Sequence, residues 1–204
     1  MPHFRANHLG KQWTSLIEIM AMMAVLGLAV TAMFSTVIGG IYFAKDSENR
    51  IKAINLAREG LEWVTNMRNT NWLRFSSDQT NCWKVINYDA SCIGDSTPTA
   101  FTDGNYILKN ENGAWYLTGS VTSGSGLWVN TDGYYMSSGS MAASPLCTID
   151  RTSDCRSIFT REIRISNSSA NSGSMTITSI VNWYEKRAQN VTLTTTLTNW
   201  KSKF

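Results

Sequence analysis

The first part of the chain contains one long, uninterrupted apolar segment. No charged residue occurs over the 26 positions from Ile19 to Ala44. A helix needs roughly 20 apolar residues to cross the hydrocarbon core of a bilayer, whereas the apolar part of a secretory signal peptide has about 7–15. The run also continues without a break into a charged, helix-forming segment. We therefore predict a membrane-spanning helix, and we do not expect the whole run to be removed.

The segment that follows has a helical pattern of a different kind. Between Asp46 and Arg68, apolar residues recur at intervals of three and four. They form two adjacent rows, opposite a polar face with Arg58, Glu59, Glu62 and Asn66: Ile54, Ala57, Leu61 and Val64 in one row, and Ala53, Leu56, Gly60, Trp63 and Met67 in the other. This pattern predicts one helix from about Ser15 to Arg68, whose second half packs against a folded domain. Gly39 and Gly40 are its expected flexible point.

From Asn71 onward the pattern changes to short alternating segments separated by turn sequences. Asn112-Gly113 and Thr131-Asp132-Gly133 are each flanked by apolar segments, which is typical of β-hairpins. Further strands are predicted where apolar and polar residues alternate, at 158–165, 175–184 and 191–197. The predicted fold class is α+β: a long N-terminal helix, with a membrane half and an amphipathic half, packed on an antiparallel β-sheet head.

These patterns divide the chain into four predicted parts. Residues 1–13 form a leader or cytoplasmic segment, and residues 14–44 form the transmembrane half of the long helix. Residues 45–70 form its amphipathic half, and residues 71–204 form a β-rich extracytoplasmic head.

Four cysteines lie in two close pairs, Cys82 with Cys92 and Cys147 with Cys155. Spacings of ten and eight do not fit zinc ribbons, although sequence alone allows three pairings. An even number of cysteines beyond a membrane segment indicates two local disulfides in an oxidising compartment, and four buried free thiols are the alternative. Because the basic residues flanking the apolar run are nearly balanced, the predicted disulfides decide the orientation: N-terminus in the cytoplasm, head outside.

Charge and histidine content narrow the classes of function. The net charge of +3 is too small to predict nucleic-acid binding from the global field. The two histidines, His3 and His8, both precede the apolar run. A head without histidine has no Ser-His-Asp or Cys-His nucleophile and none of the common histidine-containing metal sites. The sequence therefore predicts no enzymatic activity, no catalytic residue, no metal site and no cofactor.

The start of the apolar run carries the residues that point to a family. Glu18 is the only carboxylate before Asp46, and it lies within Leu16-Ile17-Glu18-Ile19-Met20. This sequence, followed by a long apolar run, resembles the N-terminal signature of type IV prepilins and the related pseudopilins. The resemblance implies a pilin-like fold, a leader cut after a glycine by a prepilin peptidase, and methylation of the new N-terminus. It also implies that Glu18 pairs with the N-terminal amine of a neighbouring subunit, which agrees with the need of a buried carboxylate for a cation.

The leader departs from the family's pattern at the cleavage site. If Glu18 is the fifth mature residue, Thr14 is the first and Trp13 occupies the position of the glycine. The nearest upstream glycine is Gly10, and a cut after it would start the mature chain at Lys11. The apolar run also lacks the proline that many members have. Both departures indicate a minor, divergent member rather than a dominant filament subunit.

Two classes of function follow from these observations. The first is a structural, minor subunit of a type IV pilus or a related secretion or competence filament, assembled through its N-terminal helix. Its partners would be other pilin subunits, a prepilin peptidase, the inner-membrane assembly machinery and membrane lipid. The second is a membrane-anchored or pilus-tip domain that binds DNA or glycans through its arginines or its six head tryptophans. We interpret those tryptophans as core residues.

A basic surface in the head is disfavoured by strand geometry. Arg161 and Arg164 have opposite parity on the predicted strand, so their side chains should face opposite sides of the sheet. Arg156, Lys201 and Lys203 would complete the patch.

Overall fold

A computed structural model gives the α+β layout that the sequence predicts. It describes residues 9–94, 100–111, 114–119, 125–137, 146–147, 153–166 and 173–200, with side chains from residue 16 onward except those of residues 111 and 114. The chain forms two compact units, Met1–Asn49 and Arg50–Phe204, here called the N-terminal unit and the head unit. The predicted turn at Asn112-Gly113 and the predicted loop at 138–145 lie outside the described residues.

One helix, α1, extends over Leu9–Arg74. It passes through Gly39 and Gly40 without interruption, so the flexible point predicted there is wrong. It also ends six residues later than predicted, because its last turn is held by tertiary hydrogen bonds. Asn71 Nδ2 donates to Val85 O at 2.8 Å, and Trp72 Nε1 donates to Asn199 Oδ1 at 3.2 Å.

The rest of the head unit is an antiparallel sheet with a few short helices. The strands are β1 (Gly104–Glu111), β2 (Ala114–Gly119), β3 (Ser125–Val129), β4 (Tyr135–Met136), β5 (Cys155–Ser166), β6 (Ser174–Tyr184) and β7 (Ala188–Thr198). A short α-helix, α2, covers Gln79–Cys82, and 3₁₀ turns cover Ile86–Tyr88 and Ala90–Cys92. The predicted hairpins are confirmed as the pairs β1–β2, β3–β4 and β6–β7.

Strand β5 is the central strand of this sheet. One of its edges pairs with β6 over Phe159–Ser166, and β6 pairs in turn with β7. Its other edge is shared between two hairpins, since β1 pairs near Ile163–Ile165 and β3 pairs over Cys155–Arg161. Every strand pair is antiparallel.

The two outer edges of the sheet differ. On β2, the Asn87 side chain acts as a short strand: its Nδ2 donates to Leu117 O and its Oδ1 accepts from Leu117 N, both at 3.0 Å. Asn87 holds this position with a φ of 55°, which asparagine tolerates better than most residues. On β7, by contrast, no strand of the described chain pairs with the outer edge.

One stripe of α1 forms the core together with the inner face of the sheet. The buried residues of this stripe are Ala53, Leu56, Ala57, Gly60, Val64 and Met67, which confirms the predicted apolar rows. At Gly60 the helix backbone lies directly on the sheet. A Cβ there would be 2.6 Å from Ile163 Cδ1 and 2.7 Å from Ser179 Oγ. The close approach therefore requires glycine.

Both cysteine pairs form disulfides, Cys82–Cys92 and Cys147–Cys155. The first closes a loop that Asp78 also holds. Its carboxylate accepts from Asn81 N at 3.3 Å and from Gly94 N at 3.0 Å. These hydrogen bonds, that from Gly94 foremost, lower the pKa of Asp78.

Candidate functional site

The candidate site is the surface of the apolar part of α1. Every side chain from Leu16 to Phe43 is exposed, including all of its large apolar ones. Soluble monomers rarely expose contiguous apolar patches larger than a few hundred Å². Among the described residues, α1 is the one helix long and apolar enough to cross a membrane.

The hydroxyl groups inside this apolar run are satisfied by the helix itself. Thr31 Oγ1 donates to Leu28 O at 2.9 Å, Ser35 Oγ donates to Ala32 O at 2.8 Å, and Thr36 Oγ1 donates to Ala32 O at 2.8 Å. An unsatisfied polar group costs several kcal/mol in hydrocarbon. With these bonds in place, the run presents no polar group that needs water.

Glu18 stands at one end of a shallow apolar groove on the helix surface. The groove is lined by residues at helical spacing: Glu18, Ala21, Met22, Val25, Leu26 and Ala29. Among the described side chains, no cation forms an ion pair with Glu18. The arrangement places one carboxylate at the edge of a surface that is otherwise apolar, and a carboxylate in lipid needs a cationic partner.

The predicted processing residues belong to the same helix. The backbone of Gly10, Lys11, Trp13 and Thr14 lies within Leu9–Arg74. Their side chains lie outside the part of the chain that the structure describes. Both cleavage positions therefore stay predictions.

The head unit contains a buried ion pair that the sequence analysis missed. Arg161 Nη1 lies 2.8 Å from Glu59 Oε2 and donates to Leu56 O at 3.2 Å. The Arg161 side chain is 1% exposed and that of Glu59 is 33% exposed. Burial lowers the pKa of the Arg161 guanidinium, and Glu59 opposes this shift. Its Nε and Nη2 have no hydrogen-bond partner among the described residues.

This ion pair corrects two expectations. Glu59 does not lie on a solvated helix face, and Arg161 does not contribute to a basic surface. The signal for its burial was present in the sequence, because Arg161 shares strand parity with the core residues Phe159 and Ile163.

The predicted basic patch does not form among the described residues. Arg164 points to the solvent side of β5, as its parity predicted, and its Nη2 donates to Glu162 Oε1 at 3.1 Å. Arg156 is exposed, while Lys201 and Lys203 lie outside the described residues.

Most of the head tryptophans belong to the core, as interpreted. Trp72, Trp83, Trp128 and Trp183 are buried. Trp115 is half-buried and stacks on Trp63 of α1 with ring centroids 4.9 Å apart. The exception is Trp200, which is 57% exposed and meets Trp72 edge-on at 5.3 Å.

The sequence around Asn130 forms a turn. Asn130 Oδ1 accepts from Tyr134 N at 2.8 Å, and Gly133 has a φ of 90°. No group of three metal-ligating side chains occurs among the residues searched, which are those the structure describes.

No protein-family model, curated protein or solved structure matches the chain. The site is therefore interpreted from its own chemistry.

Proposed function

We propose that this protein is a structural, minor subunit of a type IV pilus or a related secretion or competence filament, and that it catalyses no reaction. The supporting observation is the apolar part of α1. It is exposed all round and free of charge from Ile19 to Ala44. It begins at the single carboxylate Glu18 and continues as helix into the head unit.

The same surface would serve the protein before and after assembly. In the membrane it contacts lipid, and in a filament it contacts the corresponding helices of other subunits. Because lipid tails are as apolar as leucine, close packing and polar pairing drive such an exchange. The groove over Ala21 and Ala29 gives room for a neighbouring helix, and Glu18 would pair with that neighbour's N-terminal amine.

The proposal also assigns an orientation and a set of partners. The two disulfides suit an oxidising compartment, which favours a head outside the cytoplasmic membrane and an N-terminus inside. Prepilin peptidase, the inner-membrane assembly machinery and other pilin subunits are the partners that this role requires.

The deciding experiment is intact mass measurement with N-terminal sequencing of the protein from its native membrane. We expect a chain that starts at Lys11 or Thr14 and carries a methylated amine. Gly10→Val and Trp13→Val variants identify the cut, since a substitution before the scissile bond should block cleavage at one site only. A chain that starts at Met1 or Pro2 contradicts processing and favours a membrane-anchored domain.

Incorporation into filaments tests the role of Glu18. We expect Glu18→Gln to accumulate in the membrane at normal levels and to be lost from the sheared filament fraction. The matched control is Glu62→Gln, which changes an exposed carboxylate of the head unit. Normal incorporation of the Glu18 variant would contradict the proposed pairing.

A membrane-anchored binding domain is the second candidate, and the exposed Trp200 favours it. Arg68 lies over the Trp72 ring at 4.3 Å beside it, which gives an aromatic and cationic surface suited to a glycan or to DNA. Binding of the full-length protein to a glycan array or to DNA at low salt, and its loss in Trp200→Ala, would support this function.

A further inference from the structure

The exposed large apolar side chains of the described head unit fall into two groups. Those at the end where α1 enters are Ile51, Tyr134, Leu146, Ile158 and Tyr184, here called the entry rim; the others are Leu73, Ile93 and Trp200. Tyr134 and Tyr184 are the most exposed members of the rim, at 70% and 69%.

The packing of α1 on the sheet shows that Tyr184 lies at this end. Ala53 and Ala57, near the start of the head unit, cluster with Trp183. Val64 and Met67, farther along α1, cluster with Met175 at the other end of β6. The β6–β7 turn after Tyr184 therefore projects beyond the point where α1 enters.

Strand pairing brings the other rim residues to the same end. Phe159 pairs with Trp183, so Ile158 lies beside Tyr184. The β3–β4 turn that carries Tyr134 follows Val129, which pairs with Cys155 at the start of β5. Leu146 bridges to Arg156, the next residue of β5.

Chain connectivity limits how far this end can lie from a membrane that holds the apolar run. Six residues separate Ala44 from Arg50. Even fully extended, six residues span only about 20 Å. This limit does not depend on how the two units are oriented, so the entry rim stays near the headgroup layer.

The chemistry of the rim matches that layer. Tyrosine is enriched at membrane–water interfaces because its ring is apolar and its hydroxyl is polar. Around the two tyrosines, the exposed side chains of Arg156 and Arg187 accompany the exposed carboxylate of Asp132. Both signs of charge are present, which suits a zwitterionic headgroup carrying a phosphate and an amine.

We propose that the entry rim binds phospholipid headgroups and holds the head against the membrane in which α1 is inserted. The inference rests on the proposed membrane insertion of α1. Assembly into a filament would then have to detach the rim from lipid, in addition to moving the helix.

Spin-label accessibility in the full-length protein, reconstituted in phosphatidylcholine vesicles, tests this proposal. All four cysteines are in disulfides, so single labels at Tyr134→Cys and Tyr184→Cys are specific. Leu73→Cys and Ile93→Cys are matched exposed controls at other places on the head, and Leu28→Cys reports insertion. The readout is the ratio of collisions with oxygen to collisions with a water-soluble nickel chelate.

We expect the ratio at both rim positions to exceed that at both controls and to fall below that at position 28. Rim ratios equal to those of the controls, with position 28 in lipid, would overturn the rim proposal alone. An aqueous label at position 28 would overturn the membrane insertion. A rim signal that grows with the protein-to-lipid ratio would mean that another copy covers the rim, which also overturns the proposal.

A second set of variants tests whether the tyrosines cause the contact. With the label at Ile158→Cys, the Tyr134→Ser/Tyr184→Ser double variant should lose the raised ratio. Leu73→Ser in the same background should keep it. An unchanged ratio in the double variant would show that tethering, rather than lipid binding, holds the rim near the membrane.

Discussion

The two halves of α1 have the same backbone conformation and different surfaces. From Leu16 to Phe43 all side chains are exposed and nearly all are apolar. From Arg50 to Arg74 apolar side chains are buried along one stripe, and charged ones occupy the remaining surface. The distribution of polarity around the helix, rather than helix formation itself, therefore decides what each half contacts.

The halves also differ in how they accommodate polar groups. The apolar half turns its hydroxyls back onto its own carbonyl groups, as Thr31 and Thr36 do. The second half relies on tertiary partners, since Glu59 meets Arg161 from β5. One half is self-sufficient in hydrogen bonding and the other depends on the head.

Leu28→Arg should break the comparison most strongly. An arginine at the centre of a membrane helix costs about 2.5–3.5 kcal/mol on insertion scales. We expect the variant to be extracted from membranes by alkaline carbonate, whereas Asn55→Arg, on an exposed position of the second half, should stay inserted. Retention of the Leu28 variant would contradict a membrane role for the apolar half.

Gly60→Ala should have the next largest effect. Its new Cβ would overlap Ile163 and Ser179, both of which are fully buried and have no room to shift. Overpacking of this kind typically costs about 1–3 kcal/mol, which thermal unfolding of the head would report as a lower Tm.

The matched control for Gly60 is Gly27→Ala in the apolar half. Nothing lies within 4 Å of a Cβ at that position, and alanine is the better helix former by about 1 kcal/mol. Equal Tm values for the two alanine variants would remove the contrast between the halves.

Glu59→Gln should cost less, about 1–2 kcal/mol, because the substitution leaves Arg161 charged and buried without its counter-ion, while Glu59 itself is partly solvated. We expect the double variant Glu59→Gln/Arg161→Met to recover most of this loss in chemical denaturation. A double variant as unstable as the single one would show that the ion pair is not the source of the effect.

Acid should produce the smallest effect, and only in the head. The pKa of Asp78 is lower in the folded protein than its unfolded value of about 3.9. Its contribution to stability is therefore present above the unfolded pKa and is lost as the pH falls through the folded pKa. Thermal unfolding between pH 7 and pH 3 should show a shallower decline of Tm in Asp78→Asn than in the native protein.

The sequence predicted those features that depend on local periodicity. The apolar run, the stripe with Ala57 and Val64, and the hairpin turn at Gly133 all follow from spacing along the chain. The last turn of α1 did not, because Asn71 and Trp72 are held by residues distant in sequence.

The same limit applies to single contacts across the head. Neither the Glu59–Arg161 pair nor the capping of β2 by Asn87 follows from a local pattern, because each joins residues that only the folded sheet brings together. For the candidate site the sequence sufficed to find Glu18 and the apolar run, whose exposure the structure describes.

The shared edge of β5 has a consequence for the order in which the head folds. Strands β5, β6 and β7 follow one another in sequence and form a local meander, so they close only short loops. Pairing Asn105 with Arg164 closes a loop of 59 residues, which costs more chain entropy. The meander therefore nucleates first, and the hairpins β1–β2 and β3–β4 dock onto one edge of β5 afterwards, each at its own stretch of that strand.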